Sequence, residues 1–186
     1  MVIIDFLIVD SLSKKMYVFS NGEIVKCFDV VIGKEGVIEY YLKKEGDMKT
    51  PLGLYNLGVC FGKKAISNSY PFILIDDNTY FVDDVNSKYY NCFVQLYKNV
   101  DTYGKSYIHF ADKKEFSSAE HMMDYDEYEC GIFIEYNVNP TIKGKGSAIF
   151  IHVSGKSYTL GCIGVSKCDM KYLTNNISLE TKILII

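Results

Sequence analysis

Short runs in which apolar and polar residues alternate, cut at close intervals by turn residues, extend along most of the chain. Leu7-Ile8-Val9, Met16-Tyr17-Val18-Phe19 and Phe150-Ile151-His152-Val153 are of this kind, and a two-residue period marks half-buried strands. Asn21-Gly22 is a strong two-residue hairpin signal. Thr50-Pro51, Asp76-Asp77-Asn78 and Asn139-Pro140 break other runs. The pattern predicts a mainly β chain with one or two short helices. One helix is predicted over residues 113–124. A second is predicted from Ser166, where Ser166-Lys167-Cys168-Asp169 has capping-box form and Met170, Leu173 and Ile177 share a face. A last strand over 181–186 closes the sheet. The charged, glycine-flanked stretch 34–47 reads as a surface loop or hairpin. With no repeat, linker or low-complexity tract, residues 1–186 read as one domain, with or without insertions.

Two of the apolar runs carry chemistry. Gly146-Ser147-Ala148-Ile149-Phe150-Ile151-His152 is followed, after a polar loop, by Tyr158-Thr159-Leu160-Gly161-Cys162-Ile163-Gly164-Val165-Ser166. A thiol ionises near pH 8.5, so attack near neutrality needs a positive neighbour, a base or a helix N-terminus to favour the thiolate. His152 is the candidate base. Alternation puts Phe150, His152 and Ser154 on one face and Ile149, Ile151 and Val153 on the other, and it sets Cys162, Gly164 and Ser166 against Ile163 and Val165. A hairpin centred near Ser157 places His152 opposite Cys162 with Cβ atoms roughly 5 Å apart. A turn at Gly155-Lys156 would change that register.

Composition narrows the function classes. The net charge is −3 and no basic block occurs, so a nucleic-acid partner is not expected. The chain contains no arginine, which removes bidentate guanidinium clamps on carboxylate or phosphate. Its 6 cysteines show no CxxC and no repeated spacing, against a zinc ribbon or a small disulfide scaffold. Cys27, Cys60, Cys92 and Cys130 read as packing residues, although an even count permits bridges in an oxidising compartment. His109 and His121 are scattered from His152, so neither a metal site nor any other cofactor is expected. Met1-Val2-Ile3-Ile4-Asp5 lacks the basic start of a secretion signal, and Asp5 interrupts the apolar run. No run approaches the roughly 20 apolar residues of a membrane span.

The His152 and Cys162 segment resembles the catalytic signature of the L,D-transpeptidase (YkuD-type) family, closest to a divergent branch. The resemblance continues through the chain in order. Leu7-Ile8-Val9-Asp10, Met16-Tyr17-Val18-Phe19 and Asn21-Gly22 look like the family's opening hairpin, and Lys49-Thr50-Pro51-Leu52-Gly53-Leu54-Tyr55 matches its Lys-Thr-Pro-x-Gly-x-Tyr/Phe stretch. Phe81-Val82-Asp83-Asp84, Tyr90-Asn91, Ser118-Ala119-Glu120, Tyr128 and Tyr136-Asn137 resemble the blocks between. There are departures. Leu160 stands where the Ser/Thr-His-Gly-Cys motif has histidine, Gly164 where arginine or asparagine is frequent, and the His152 to Cys162 spacing is short.

The resemblance implies a single β-sandwich or barrel domain acting on peptidoglycan stem peptides in the periplasm or extracytoplasmic wall. Cys162 is then the nucleophile and His152 the general base, with a backbone carbonyl just after His152 orienting its ring. Backbone N–H groups of Gly161 and Cys162 are the leading oxyanion donors, and Thr159 contacts either substrate or loop. Ser154, Asp83, Asp84 and Asn91 are candidate substrate-binding residues, the last three having a plainer reading as Asx turn formers. Three functions stay open: transfer to an amine, hydrolysis by the same thiol as an L,D-carboxypeptidase or endopeptidase, and a catalytically silent wall-binding module. Transfer versus hydrolysis turns on the acceptor side of the pocket.

Overall fold

The computed structural model describes residues 2–66, 70–96 and 107–186. The chain runs β1 (Ile4–Asp10), β2 (Lys15–Ser20), β3 (Glu23–Asp29), β4 (Val37–Glu39), β5 (Thr50–Gly62), β6 (Phe72–Leu74), β7 (Thr79–Val82), β8 (Cys92–Leu96), β9 (Ile108–Ala111), β10 (Glu120–His121), β11 (Cys130–Ile134), β12 (Phe150–Val153), β13 (Ile163–Val165), α1 (Lys167–Asn176) and β14 (Ile177–Ile185). Among the described residues it is mainly β, with one α-helix and short 3-10 turns, as its alternating runs predict.

The larger sheet is ordered β13-β12-β11-β5-β14-β1-β2-β3, and the smaller one β10-β7-β8-β9. The hub is β5, 13 residues long. Its first half pairs with β4 and β14 and its second half with β6 and β11. At the β2–β3 hairpin, Asn21 and Gly22 both take positive φ, 51° and 77°, the backbone of the two-residue turn that matches strand twist.

Strand alternation divides the interior in two. Ile132, Ile134, Ile149, Ile151, Ile163 and Val165 point to one side, where Met170 and Leu173 of α1 pack on them with residues of β1 and β2. Phe133, Phe150 and Cys162 point to the other side, toward Phe81 and Phe93 of the smaller sheet. There the ring of Phe150 lies 4.9 Å from that of Phe61, 5.0 Å from Phe81 and 5.6 Å from Tyr128, in edge-to-face contacts. The nucleophile candidate therefore sits at the end of an aromatic core that joins the two sheets.

Several sequence expectations are corrected. Residues 113–124 do not form a helix. Asp112 caps a 3-10 turn, Lys113–Glu115, but Asp84 then accepts hydrogen bonds from the N–H and the hydroxyl of Ser117, each at 2.7 Å. That contact pulls the chain into extended backbone. Thr50-Pro51 opens β5 instead of breaking a run, a strand-start position that proline tolerates. The stretch 34–47 is only partly surface, since β4 lies within it and Lys43 is buried. The last strand begins at Ile177, directly after α1. The Ser166 cap is present, its hydroxyl oxygen accepting from the Asp169 N–H at 3.1 Å.

Candidate active site

His152 and Cys162 do not face each other across a hairpin. β12 and β13 pair in parallel, with Ile151 opposite Ile163 and His152 opposite Gly164. Parallel neighbours require a crossover, and residues 154–162 supply it by pairing with the segment after β3. Thr159 N–H donates to Ile32 O and Lys34 N–H to Thr159 O, both at 2.9 Å, while Val31 and Gly164 form an antiparallel bridge. Cys162 thus comes level with Phe150, on the same face as His152. One strand across and two residues along corresponds to a Cα separation of roughly 8 Å.

Both side chains line one cavity of about 670 Å³. His152 Nδ1 lies 2.8 Å from Val153 O, the carbonyl implied by the resemblance. A carbonyl only accepts, so Nδ1 carries the proton and Nε2 presents its lone pair. The ring of Tyr128 packs edge-on against the imidazole at 5.7 Å. Burial holds His152 below its ordinary value of 6.5, because a charged imidazole loses its hydration there. At neutral pH the imidazole is uncharged.

The thiol rests elsewhere. Cys162 Sγ donates to Ala148 O at 3.1 Å and accepts from Phe150 N–H at 3.4 Å. Burial pushes it up to about 12, the Phe150 N–H opposing and Glu120 adding to the rise. The thiolate expected from sequence is therefore not the resting state, and α1, which begins five residues later, contributes no N-terminus to it. Thiol and imidazole are both neutral at rest.

Ala148 owes its position to residues that line no part of the cavity. Its φ is 54°, a left-handed conformation costly for a residue with a Cβ. Asn91 holds it, accepting from Ala148 N–H at 3.1 Å while donating to Tyr136 O at 3.0 Å and Asn137 O at 2.9 Å. Tyr90 hydroxyl accepts from Gly146 N–H at 3.0 Å, and Asn137 donates to Gly146 O at 2.9 Å. The Tyr90-Asn91 and Tyr136-Asn137 pairs thus brace the segment on which the sulfur rests.

The other sequence candidates divide. Asp83, Ser154 and Thr159 line the cavity; Asp84, Asn91 and Gly161 do not. Asp84 organises a turn through Asn86 and Ser117, whose hydrogen bonds hold its carboxyl down to about 2. Thr159 hydroxyl donates to Cys162 O at 2.6 Å and accepts from Gly161 N–H at 3.2 Å. That bond engages the Gly161 N–H expected to serve an oxyanion. Lys43, Glu45, Glu120 and Tyr128 also line the cavity. Of these only Glu120 and Tyr128 stood in a motif block, and no local pattern marks Lys43 or Glu45.

Residues 4–185 match the family model described as the L,D-transpeptidase catalytic domain, YkuD. The chain belongs to that family. The fold is accordingly the L,D-transpeptidase β-sandwich. Among solved structures, Bd1075 of Bdellovibrio bacteriovorus is 19% identical, with a TM-score of 0.48 over 100% of this chain and 48% of that one. The helical cell shape determining protein Pgp2 of Campylobacter jejuni is 16% identical, with a TM-score of 0.48 over 98% and 47%. The Enterococcus faecium L,D-transpeptidase is 13% identical, with a TM-score of 0.46 over 100% and 50%. The chain spans about half the length of these solved structures. No curated protein sequence matches it.

This L,D-transpeptidase domain explains its own departure at Gly164. A Cβ there would meet Ser154 Cβ and Val31 Cγ2 at 2.5 Å each, so the bridge to Val31 leaves no room for arginine or asparagine. Gly164→Ala is expected to lower stability by about 1–3 kcal/mol, the range for forcing a methyl into a filled core. Urea unfolding monitored by circular dichroism checks it; an unchanged midpoint would show that the bridge yields freely. Leu160 is different. It is 70% exposed at the cavity rim and leaves the rim apolar.

Proposed function

We propose that Cys162 and His152 carry out acyl transfer on peptidoglycan stem peptides through a thioester. The observation that supports this reading is the single cavity lined by the thiol and by an imidazole whose Nδ1–H is fixed on Val153 O. That tautomer aims a basic Nε2 into the space a substrate would occupy. Cys162 attacks the carbonyl between an L-centre and a following D-residue as His152 takes the thiol proton, and His152 then returns it to the departing amine. Backbone N–H donors stabilise the oxyanion; with Gly161 engaged by Thr159, that of Cys162 is the leading candidate. Ser154 and Asp83 are placed to touch the stem peptide, and Thr159 acts through the loop. The site of action is the extracytoplasmic wall, as is normal for the family, and no helix among the described residues is long and apolar enough to cross a membrane.

Neutral resting partners give this reading a pH signature. A general base works only when unprotonated, so the rate falls as pH falls through its folded ionisation. Because burial holds His152 below 6.5, the acylation rate by a carbapenem, followed by intact mass, is expected to rise with pH, reach half its maximum below pH 6.5 and then level off. A rate still climbing tenfold per pH unit through pH 9 would instead show that the free thiolate attacks unaided and that His152 is no base.

A further inference from the structure

The cavity holds a second set of titratable groups that the acylation step does not use. Glu120 of β10 accepts from the Tyr128 hydroxyl at 2.5 Å, and the same Tyr128 ring packs against His152. Asp83 also lines the space, and its Oδ1 is buried with no hydrogen-bond partner. The neighbouring charged side chains are already hydrogen-bonded. Lys43 Nζ donates to Asp47 at 2.6 Å and Lys44 O at 3.1 Å, and Glu45 accepts from Tyr90 at 2.5 Å and Ser147 at 2.7 Å. What remains is an anionic wall beside the catalytic pair.

Proton counting gives that wall a task. An acceptor amine arrives as R–NH3⁺, and the amide nitrogen it becomes has lost two protons. One returns to sulfur: when the C–N bond forms and the C–S bond breaks, His152 passes a proton from nitrogen to the departing thiolate and regenerates the thiol. His152 is then neutral again, as it was before, so it has no capacity for the other. Water differs, since it gives up only one proton in forming the carboxylic acid.

We propose that Glu120, held by Tyr128 beside His152, takes that extra proton from a primary ammonium acceptor seated on Asp83, and so favours transfer over hydrolysis. The inference rests on Cys162 being acylated as proposed above. Glu120 receives one proton and becomes the neutral acid, the free amine attacks the thioester carbonyl, and the acid later gives its proton to solvent. Burial pushes Glu120 up to about 7, with Asp83 and Glu45 raising it further and the Tyr128 hydrogen bond opposing. Tyr125, Cys162, Lys43, Tyr158 and the ion pair of Glu127 with Lys156 complete the titratable groups around the same space. His121, next in sequence, faces away, with its ring nitrogens on Asp77 O and Asp124 and its ring stacked on Tyr80. A group ionising near neutrality exchanges protons readily at working pH.

The test uses an acetylated tetrapeptide ending in L-Lys–D-Ala as donor and Nα-acetyl-lysine amide as acceptor, with transfer and hydrolysis products resolved by mass spectrometry. Wild type should show a transfer-to-hydrolysis ratio that rises with pH through about 7, where the carboxylate forms. Glu120→Gln should lower that ratio on the order of 10²-fold, far beyond any change in carbapenem acylation. Tyr128→Phe removes a contact that favours the carboxylate and should move the rise to higher pH. An unchanged ratio in Glu120→Gln, or loss of acylation and transfer in equal measure, overturns the proposal. So does an unmoved pH profile in Tyr128→Phe. Failure of wild type to acylate at all strikes the Cys162 reading instead, which separates the two ideas.

Discussion

Replacing Cys162 with alanine is expected to abolish the carbapenem adduct, lowering acylation on the order of 10⁴-fold or more, the scale seen when a nucleophile is removed. No other cysteine can substitute. Cys60 is sealed in the core, pushed far up by burial, while Cys27 and Cys168 are exposed and line no part of the cavity. Cys92 and Cys130 are half-buried and raised for the same reason as Cys60. Intact mass spectrometry after incubation should therefore show one adduct on wild type and none on Cys162→Ala. An adduct that survives the substitution would place the chemistry on another residue. Absence of an adduct on wild type would leave the family fold with a silent cavity.

Phe150→Ala should be the most damaging change to stability among the residues near the site. The side chain has no exposed surface and contacts Phe61, Phe81, Phe93, Phe133 and Tyr128 by ring geometry. Truncating such a residue costs about 3–5 kcal/mol, part in lost transfer free energy and part in the cavity left behind. For a chain of this length that corresponds to a melting temperature lower by on the order of 10 °C. The loss should extend to function, because the Phe150 backbone touches Cys162 Sγ and the next residue but one is His152. Differential scanning calorimetry read beside the adduct rate would show both. A melting temperature within 2–3 °C of wild type would mean that the aromatic layer closes over the gap and is not a tight junction between the sheets.

Much of the architecture could be read locally, and what could not was non-local. The Asn21-Gly22 turn and the Ser166 cap are set by residues within a few positions; the turn appears as read, while of the capping box only the Ser166 half forms, the Asp169 carboxylate accepting from the Ser166 hydroxyl. Alternation correctly grouped His152 with Phe150 and set Cys162 apart from Ile163, since side-chain direction along one strand depends only on parity. Strand direction leaves no mark on that parity. The hairpin was therefore a natural choice, and the parallel pairing depends on contacts of 159–164 with 31–34, more than a hundred residues away. The missing helix at 113–124 fails for a similar reason: its cap is genuine, but Asp84 claims Ser117 from another part of the chain. The lining of the candidate site was legible in His152 and Cys162 and in Asp83, Ser154 and Thr159. Its acidic wall, the role of Asn91 behind Ala148 and the neutrality of the thiol follow from packing between distant segments.

The resting place of the sulfur has a chemical corollary. Peroxide and alkylating agents consume the anion far faster than the protonated form, so a cysteine docked on the Ala148 carbonyl is sheltered from such reagents while it rests there. Cys27 and Cys168, open to solvent, would meet such reagents first. On the proposed mechanism the left-handed backbone at Ala148 thus doubles as a safety catch, which the donor peptide releases by drawing the sulfur toward Nε2.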